Sequence, residues 1–379
     1  MLLFFEKHVR HVKGAQWYGK PFKLLEWQVE DVIKPLFGWK VVDPDLPESE
    51  WLRRYRKVYV EIPKKQGKSA LTSGLGLWFL TADGEKGAEV YAVAGDTMQA
   101  RIVFDDARKM AGMDKTLSRI TKPYQYSILH QDSGSMFRVL SADAHTKHGY
   151  SPSAILFDEL HVQPNRHLWD TLVQGIAARR QPVVFAITTA GWYDPNAICW
   201  EQHDYALKVR DGIIKDDSFL PVIYAADKDE DWTDPDVWVK ANPSLGVTVQ
   251  RDFYEKEVRE AKEIPAKENT FRRLHLNQWT EQETRWLSLD VWDENGGIVS
   301  EDSLFGMECY GGLDLASTTD VAALALVFPD DGQIVMRFWI PEDNMRRRVE
   351  RDRVPYDLSL IHISEPTRQP ATSRMPSSA

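Results

Sequence analysis

The segment from Lys57 to Ser69 constrains the fold more than any other part of the sequence. Lys57 to Ile62 alternates like a β-strand, Pro63 to Ser69 forms a turn ending in Gly-Lys-Ser, and Ala70 to Thr81 continues with apolar residues at helical spacing. A strand, a glycine-containing loop and a helix in this order let backbone N–H groups surround phosphate oxygens. The sequence therefore predicts a phosphate-binding loop within an α/β fold.

Phosphate chemistry gives the side chains of this loop their predicted roles. The Lys68 ammonium can reach the β- and γ-phosphates, and the Ser69 hydroxyl can bind Mg²⁺. The loop departs from the usual pattern at Ile62, where a first glycine is conventional. A chance surface turn at a helix start is the alternative for Gly-Lys-Ser alone. The predicted nucleotide-binding residues of the loop are Lys64, Lys65, Gln66, Gly67, Lys68 and Ser69.

A second motif supports the nucleotide interpretation. Four apolar residues, Ala154 to Phe157, precede Asp158 and Glu159, so a buried strand delivers two carboxylates to its carboxyl end. We expect Asp158 to hold Mg²⁺ through water and Glu159 to polarise the attacking water. An acidic first turn of a helix is the alternative for this pair.

Further apolar strands indicate the type of sheet. Glu89 to Ala94 and Val183 to Thr188 are predicted strands, and Gln99 to Met110 is a predicted helix. Strands separated by helices predict a mostly parallel sheet with covered faces. Thr188 and Thr189 end one strand with small hydroxyl residues that can sense the γ-phosphate.

Composition excludes several classes of protein. The 379 residues are enough for two domains, and 47 basic against 57 acidic residues argue against a uniformly basic nucleic-acid-binding surface. Cys199 and Cys309 lie far apart, so neither a zinc site nor a disulfide framework is predicted. The apolar run Leu2 to Phe5 is too short for a signal peptide or a membrane span. We expect a cytoplasmic protein that is not secreted and binds no membrane.

These motifs, with Trp27-Gln28 upstream and Asn242 to Gly246 downstream, resemble the large terminase subunits of tailed phages over roughly residues 15–357. The resemblance implies an α/β P-loop NTPase fold of the RecA/ASCE type, followed by a partial RNase H-like domain. It implies that Gln28 contacts adenine, for which an exposed helical glutamine is the alternative. Lys64 stands where the family has arginine, and its implied catalytic role is to stabilise transition-state charge. Candidates for an arginine finger, each with a structural alternative, are Arg101, Arg179 and Arg180.

The nuclease part of the resemblance rests on Gly312 to Ala316 followed by Asp320. It implies Asp314 as a catalytic ligand of a two-metal site using Mg²⁺ or Mn²⁺, whereas a lone Asp at a strand end is also a common turn former. Strands are predicted from Val321 to Phe328 and from Gln333 to Ile340. The predicted domains are a P-loop ATPase at 1–265 with a lid or linker subdomain from about 192, a linker at 266–309, a partial nuclease domain at 310–358, and a non-native or disordered tail at 359–379.

The resemblance implies ATP- and Mg²⁺-dependent translocation of double-stranded DNA into a preformed capsid in the host cytoplasm. Implied partners are the portal protein and the terminase small subunit, with a homo-oligomeric ring on the capsid and nuclease activity lost by truncation. A superfamily 2 helicase is one alternative, because Asp158 to His161 resembles a DExH box, although no second RecA-like domain is recognisable after Gly191. A non-catalytic assembly scaffold is another, against which the intact Lys68 and Glu159 argue.

Overall fold

The computed structural model describes residues 1–141, 149–280, 299–315, 322–330 and 332–339. The chain divides into two compact units, Met1–Trp286 and Leu287–Ala379. The first unit carries an eight-stranded sheet and the second a three-stranded sheet. Among the described residues, no helix has both the length and the apolar character needed to cross a bilayer.

The strands, in chain order, are β1 (Lys57–Glu61), β2 (Glu89–Ala94), β3 (Thr121–Pro123), β4 (Ser127–His130), β5 (Met136–Ser141), β6 (Ala154–Asp158), β7 (Val183–Thr188), β8 (Phe219–Ile223), β9 (Tyr310–Asp314), β10 (Ala322–Phe328) and β11 (Gln333–Trp339). The α-helices are α1 (Leu2–His8), α2 (Lys34–Gly38), α3 (Lys68–Thr81), α4 (Thr97–Met113), α5 (Lys115–Ile120), α6 (His167–Gly175), α7 (Ile198–Arg210), α8 (Pro235–Ala241), α9 (Arg251–Glu263) and α10 (Pro265–His275). A π-helix (Gln28–Ile33) leads into α2, and the 3₁₀ helices are Glu48–Glu50, Leu160–Val162, Ile176–Ala178 and Glu301–Leu304.

The large sheet has the strand order β3-β4-β5-β2-β6-β7-β1-β8. The six strands from β5 to β8 in this order are parallel, whereas β4 pairs antiparallel with both β3 and β5. Because β7 lies between β6 and β1, the carboxyl ends of these three strands meet at one edge of the sheet. The predicted α/β P-loop fold with a mostly parallel sheet is confirmed.

Helices cover both faces of this sheet, which explains its apolar strands. Val58 and Val60 of β1 pack in one core with α3 and α4, while Tyr59 packs in the other core with α6 and α7. All residues of β6 and β7 are buried. Strands buried on both faces read as continuous apolar runs, as the sequence shows here.

Residues after β7 contribute both to the sheet and to a separate helical core. β8 pairs with β1 in parallel, so the region predicted as a lid or linker subdomain also contributes a strand to the large sheet. Helices α8, α9 and α10 then form a small bundle, here called the helical subdomain (residues 235–276). Its core is built from Val237, Trp238, Tyr254, Val258 and Phe271.

The second unit contains the predicted strand and hairpin. β10 pairs antiparallel with both β9 and β11, and Leu304, Phe328 and Val335 form a small core. All residues of β9 are exposed. Asp320 and the predicted tail at 359–379 lie outside the described residues.

Candidate active site

The loop between β1 and α3 reverses direction through two left-handed residues. Lys65 has φ +66° and Gly67 has φ +84°. Glycine suits this conformation because it has no Cβ, and Gly67 is the residue immediately before α3. No side chain caps the start of α3, so its first N–H groups can receive phosphate oxygens. The local geometry fits the predicted phosphate-binding loop.

Lys68 is held between this loop and the end of β7. Its Nζ donates to the carbonyls of Ile62 and Pro63 at 3.2 and 3.1 Å, and to Thr189 Oγ1 at 2.5 Å. These contacts use all three ammonium donors. Glu159 Oε1 lies 3.6 Å from the same nitrogen, so the cation stands beside the second acid of the Asp-Glu pair.

Asp158 ends β6 beside the start of α3. Ser69 Oγ donates to Asp158 Oδ2 at 3.0 Å, while the buried Oδ1 has no hydrogen-bond partner among the described residues. Burial raises the pKa of Asp158, the Glu159 carboxylate raises it further, and Lys68 opposes both. A hydroxyl and a carboxylate with an unused buried oxygen fit Mg²⁺, which prefers hard oxygen ligands and retains several waters.

Glu159 has an unusual backbone conformation, with φ 53° and ψ 59°. Its N–H donates to the Ile187 carbonyl at 2.9 Å, so β7 supports this turn. The carboxylate lies 3.3 Å from His161 Nδ1. Burial alone would raise the pKa of Glu159, but Lys68, His161 and Lys64 together lower it. The group is therefore ionised at neutral pH and can accept a proton or a hydrogen bond from water.

Thr188, the last residue of β7, and Thr189, the residue after it, face these groups. Thr188 and Thr189 are fully buried. Thr188 Oγ1 accepts from the His161 N–H at 3.1 Å and lies 3.0 Å from His161 Nδ1. Thr189 contacts Lys68 as described above. The structure thus brings the predicted residues of β1, β6 and β7 together.

Gln28 lies against the phosphate loop. It is 1% exposed, and its Nε2 is 3.5 Å from the position that a Cβ on Gly67 would take. Its Oε1 accepts from the Leu25 N–H at 3.0 Å. The exposed helical glutamine considered above is not what the structure shows.

Lys64 and Lys65 extend the positive charge of the loop. Lys65 is exposed, whereas Lys64 is partly buried and its N–H donates to the Leu274 carbonyl at 2.9 Å. Burial lowers the pKa of Lys64, Glu159 opposes this, and Arg273 lowers it further. Arg273 lies near the loop only through the fold, and no sequence pattern predicted it.

The candidate arginine-finger residues make contacts within the chain. Arg179 donates to the Ser151 carbonyl at 2.8 Å and to Glu85 at 3.0 Å. Arg101 lies 3.8 Å from Asp105 and over the Tyr126 ring. Both sets of contacts agree with the structural alternative.

A buried polar cluster behind the loop was not predicted. Glu61, at the end of β1, is fully buried and accepts from Tyr59 Oη at 2.6 Å. His203 Nδ1 lies 2.8 Å from the same carboxylate, and Trp279 Nε1 donates to it at 3.2 Å. The one signal of this cluster in the sequence was the position of Glu61, an acid that follows the apolar residues Val58 to Val60 of β1.

Asp314 does not belong to a cluster of metal-ligating side chains among the described residues. It ends β9 and is exposed. In the described ranges, no group of three or more His, Cys, Asp or Glu residues could hold a metal ion. Asp314 therefore belongs to no such group within the part of the chain that the structure describes.

Two family profiles match the chain. The terminase large subunit ATPase domain matches residues 26–208, and the terminase large subunit endonuclease domain matches residues 213–362. The second match includes β8, which pairs with β1 in the first unit. We therefore place the structural division at Trp286 and not at residue 213.

Several known proteins are similar to the chain. Protein YmfN of Escherichia coli K12 is 31% identical over 57% of this chain and 51% of its own length. The terminase large subunit of Enterobacteria phage HK97 is 29% identical over 79% of this chain and 59% of its own length. The chain thus spans between half and three fifths of these curated relatives. The crystal structure of the HK97 bacteriophage large terminase superposes with a TM-score of 0.62 at 25% identity, covering 95% of this chain and 71% of that one.

The two profiles follow each other along the chain at residues 26–208 and 213–362, and the strand order places the ATPase motifs at one sheet edge. The HK97 similarity extends over both parts. On these grounds the chain belongs to the terminase large subunit family.

Proposed function

We propose that this chain is a Mg²⁺-dependent ATPase that drives double-stranded DNA into a preformed capsid. The observation that carries the proposal is the meeting of Lys68, Asp158 and Glu159 at one edge of the sheet. Phosphoryl transfer requires a cation that binds phosphate, an acid that holds a metal ion, and an ionised acid that orients water.

Nucleotide binding rests on the loop and on Gln28. The N–H groups at the start of α3 receive phosphate oxygens, and the Lys68 ammonium, held at the mouth of the loop, neutralises the β- and γ-phosphates. Lys64 and Lys65 add positive charge on the same side. The buried Gln28 amide beside Gly67 is placed to recognise adenine.

Ser69 and Asp158 are the residues that would hold Mg²⁺. When bound, the ion neutralises charge on the phosphate oxygens and orients them. The Ser69 hydroxyl offers one oxygen, and the unpartnered Oδ1 of Asp158 offers a second, directly or through water. The family's nucleotide- and metal-dependent chemistry supports this assignment, and the choice of Mg²⁺ rests on these oxygen ligands.

Glu159 would orient the attacking water. Its lowered pKa keeps the carboxylate ionised, so it can accept a hydrogen bond or proton from water. Thr188 and Thr189 join this acid to the end of β7 and are placed to respond to the γ-phosphate. Thr189 bonds Lys68 and lies 3.5 Å from Glu159 Oε2, so a change at either group alters its contacts.

The proposed partners are double-stranded DNA, the portal protein and the terminase small subunit, with several copies of the chain in a ring on the capsid in the host cytoplasm. Membership of the family supports these partners. The net charge of −10 means that DNA must be held by local basic groups. A ring predicts a concentration-dependent increase in native mass in the presence of nucleotide.

A helicase is less well supported by the fold. After Gly191 the described chain adds β8 to the existing sheet, and the second described sheet is antiparallel. Neither feature supplies the second RecA-like domain that a superfamily 2 helicase uses. DNA-stimulated strand separation would favour the helicase, whereas ATP turnover stimulated by duplex DNA without strand separation favours packaging.

The experiment that tests the proposal is ATP hydrolysis by the purified chain with and without Mg²⁺, duplex DNA and partner subunits. We expect Mg²⁺-dependent turnover that duplex DNA stimulates. Absence of turnover under every one of these conditions would favour the assembly scaffold.

A further inference from the structure

Gln66 joins the phosphate loop to the helical subdomain through both ends of its side-chain amide. The side chain is fully buried, although it belongs to a loop. Its Nε2 donates to Asn242 Oδ1 at 2.9 Å, and its Oε1 accepts from the Ser244 N–H at 2.9 Å. The Asn242–Ser244 segment, part of the downstream motif in the sequence, has no role in the chemistry proposed above.

Asn242 makes every hydrogen bond that its side chain allows. Its Nδ2 donates to the Trp238 carbonyl at 2.9 Å and to the His275 carbonyl at 2.7 Å. Its Oδ1 accepts from Gln66 and from Tyr254 Oη at 2.7 Å. Two donors and two acceptor positions are thus all used. This one amide joins the ends of α8 and α10, the side of α9, and the phosphate loop.

The loop is held at the point where its backbone is most constrained. Gln66 lies between the two left-handed residues Lys65 and Gly67. One residue before them, the Lys64 N–H bonds the Leu274 carbonyl at the end of α10. The helical subdomain therefore holds the loop on both sides of Lys65. A left-handed non-glycine residue persists only where surrounding contacts fix it.

We propose that Gln66 and Asn242 are positioning residues that hold the phosphate loop ready for nucleotide, so that nucleotide affinity depends on docking of the helical subdomain. This inference rests on the proposed ATPase function. Neither side chain needs to touch phosphate, because Gln66 acts through the backbone of Gly67 and the placement of Lys68. Linkage makes the coupling reciprocal, so bound nucleotide strengthens the docking by the same factor.

The test uses the full chain and Mg²⁺-ADP. Gln66→Leu removes both amide contacts at similar size, and we expect ADP affinity by titration calorimetry to fall about tenfold. The loss should appear in the KM for ATP more than in kcat, because Glu159 is not altered. Asn242→Ala should also weaken ADP binding, and the double variant should lose less than the product of the two separate losses, because both changes remove the contact that the two side chains share.

Val258→Ala is the matched control. Val258 lies in the core of the same subdomain on α9 and is remote in sequence from the loop. We expect a lower melting temperature with unchanged ADP affinity. If Asn242→Ala does not fold, Gln66→Leu and this control decide the question alone.

The outcomes separate the inference from the function on which it rests. Failure of the unchanged protein to bind Mg²⁺-ADP would count against the ATPase itself. Tight ADP binding by both the unchanged protein and Gln66→Leu would overturn only the positioning role. Equal losses of affinity in Gln66→Leu and Val258→Ala would assign the effect to general destabilisation and also overturn it.

Discussion

Ser69 Oγ donates to Asp158 Oδ2 across 3.0 Å, although 89 residues separate the two in sequence. This bond joins the start of α3 to the end of β6 and makes the phosphate loop and the acidic strand one site. The other carboxylate oxygen of Asp158 is buried and has no partner among the described residues. A buried carboxylate oxygen without a hydrogen-bond partner destabilises the folded state, but it can serve as a metal ligand.

Replacing Asp158 should therefore raise the stability of the fold while weakening nucleotide binding. Asp158→Asn removes a buried negative charge whose pKa is raised by burial and by Glu159. We expect the free energy of unfolding without nucleotide to rise by about 1 kcal/mol, because a neutral amide relieves this cost. Mg²⁺-dependent ADP affinity should fall at least tenfold, since the oxygen ligand is lost. Urea unfolding and titration calorimetry measure the two effects.

Asp83→Asn is the matched control for that change. Asp83 is also buried, but it bonds Arg53 through both oxygens, at 2.5 and 2.9 Å. Breaking a buried ion pair costs about 3 kcal/mol or more. A loss of stability in Asp158→Asn as large as in Asp83→Asn would contradict the interpretation of Asp158.

His161 should support the orientation of Glu159. Its Nδ1 lies 3.3 Å from Glu159 Oε2 and 3.0 Å from Thr188 Oγ1. We expect His161→Ala to lower kcat about tenfold with little change in KM, because the ring contacts the acid and not the loop. His130→Ala, on β4, is the control and should leave both constants unchanged. A change confined to KM would argue that His161 acts in binding instead.

His275 makes the helical subdomain sensitive to acid. Burial first, and Lys64 second, lower the pKa of His275 from an ordinary 6.5 to about 4. Because the folded state resists protonation, this residue contributes stability above pH 6.5 that is lost as the pH falls toward 4. The expected loss between pH 7.5 and pH 5 is about 2 kcal/mol. The urea midpoint should change less between pH 7.5 and pH 5 in His275→Gln than in the unchanged protein. An equal change in both proteins would rule out His275 as the acid-sensitive group.

The loss of nuclease activity expected from the sequence can be tested directly. Two metal ions need several carboxylates from different elements, and no described acid joins Asp314 in a metal-binding group. We expect no cleavage of plasmid DNA with Mn²⁺, and ATP turnover unchanged by Asp314→Asn because the two sites belong to separate units. Cleavage that Asp314→Asn abolishes would show a complete nuclease site.

The parts of the fold that depend on local sequence patterns were predictable. Strands β1, β2, β6 and β7 follow from apolar runs, and the loop follows from Gly-Lys-Ser between a strand and a helix. β8 was missed because Pro221 interrupts its run, and a sheet tolerates proline at its edge, where β8 lies. Short strands such as β3, with three residues, give too few positions for a pattern.

The contacts that support the site come from residues remote in sequence. Gln66 and Asn242 are 176 residues apart, and no local pattern pairs two amides. Glu61 was read as part of an alternating strand, yet its carboxylate is fully buried because tertiary donors such as His203 satisfy it. The residues proposed to bind nucleotide and metal could thus be predicted from motifs. The residues that position them could be identified only from the fold.

The central claim is that Glu159 orients water for ATP hydrolysis at a site where Lys68 binds phosphate. The most direct measurement is single-turnover ATP hydrolysis and ATP affinity for the unchanged chain, Glu159→Gln and Lys68→Ala, with Mg²⁺ and duplex DNA. Glu159→Gln should bind ATP within about threefold of the unchanged chain but hydrolyse it about 10²-fold more slowly, and Lys68→Ala should lose affinity. Undiminished hydrolysis by Glu159→Gln would contradict the account.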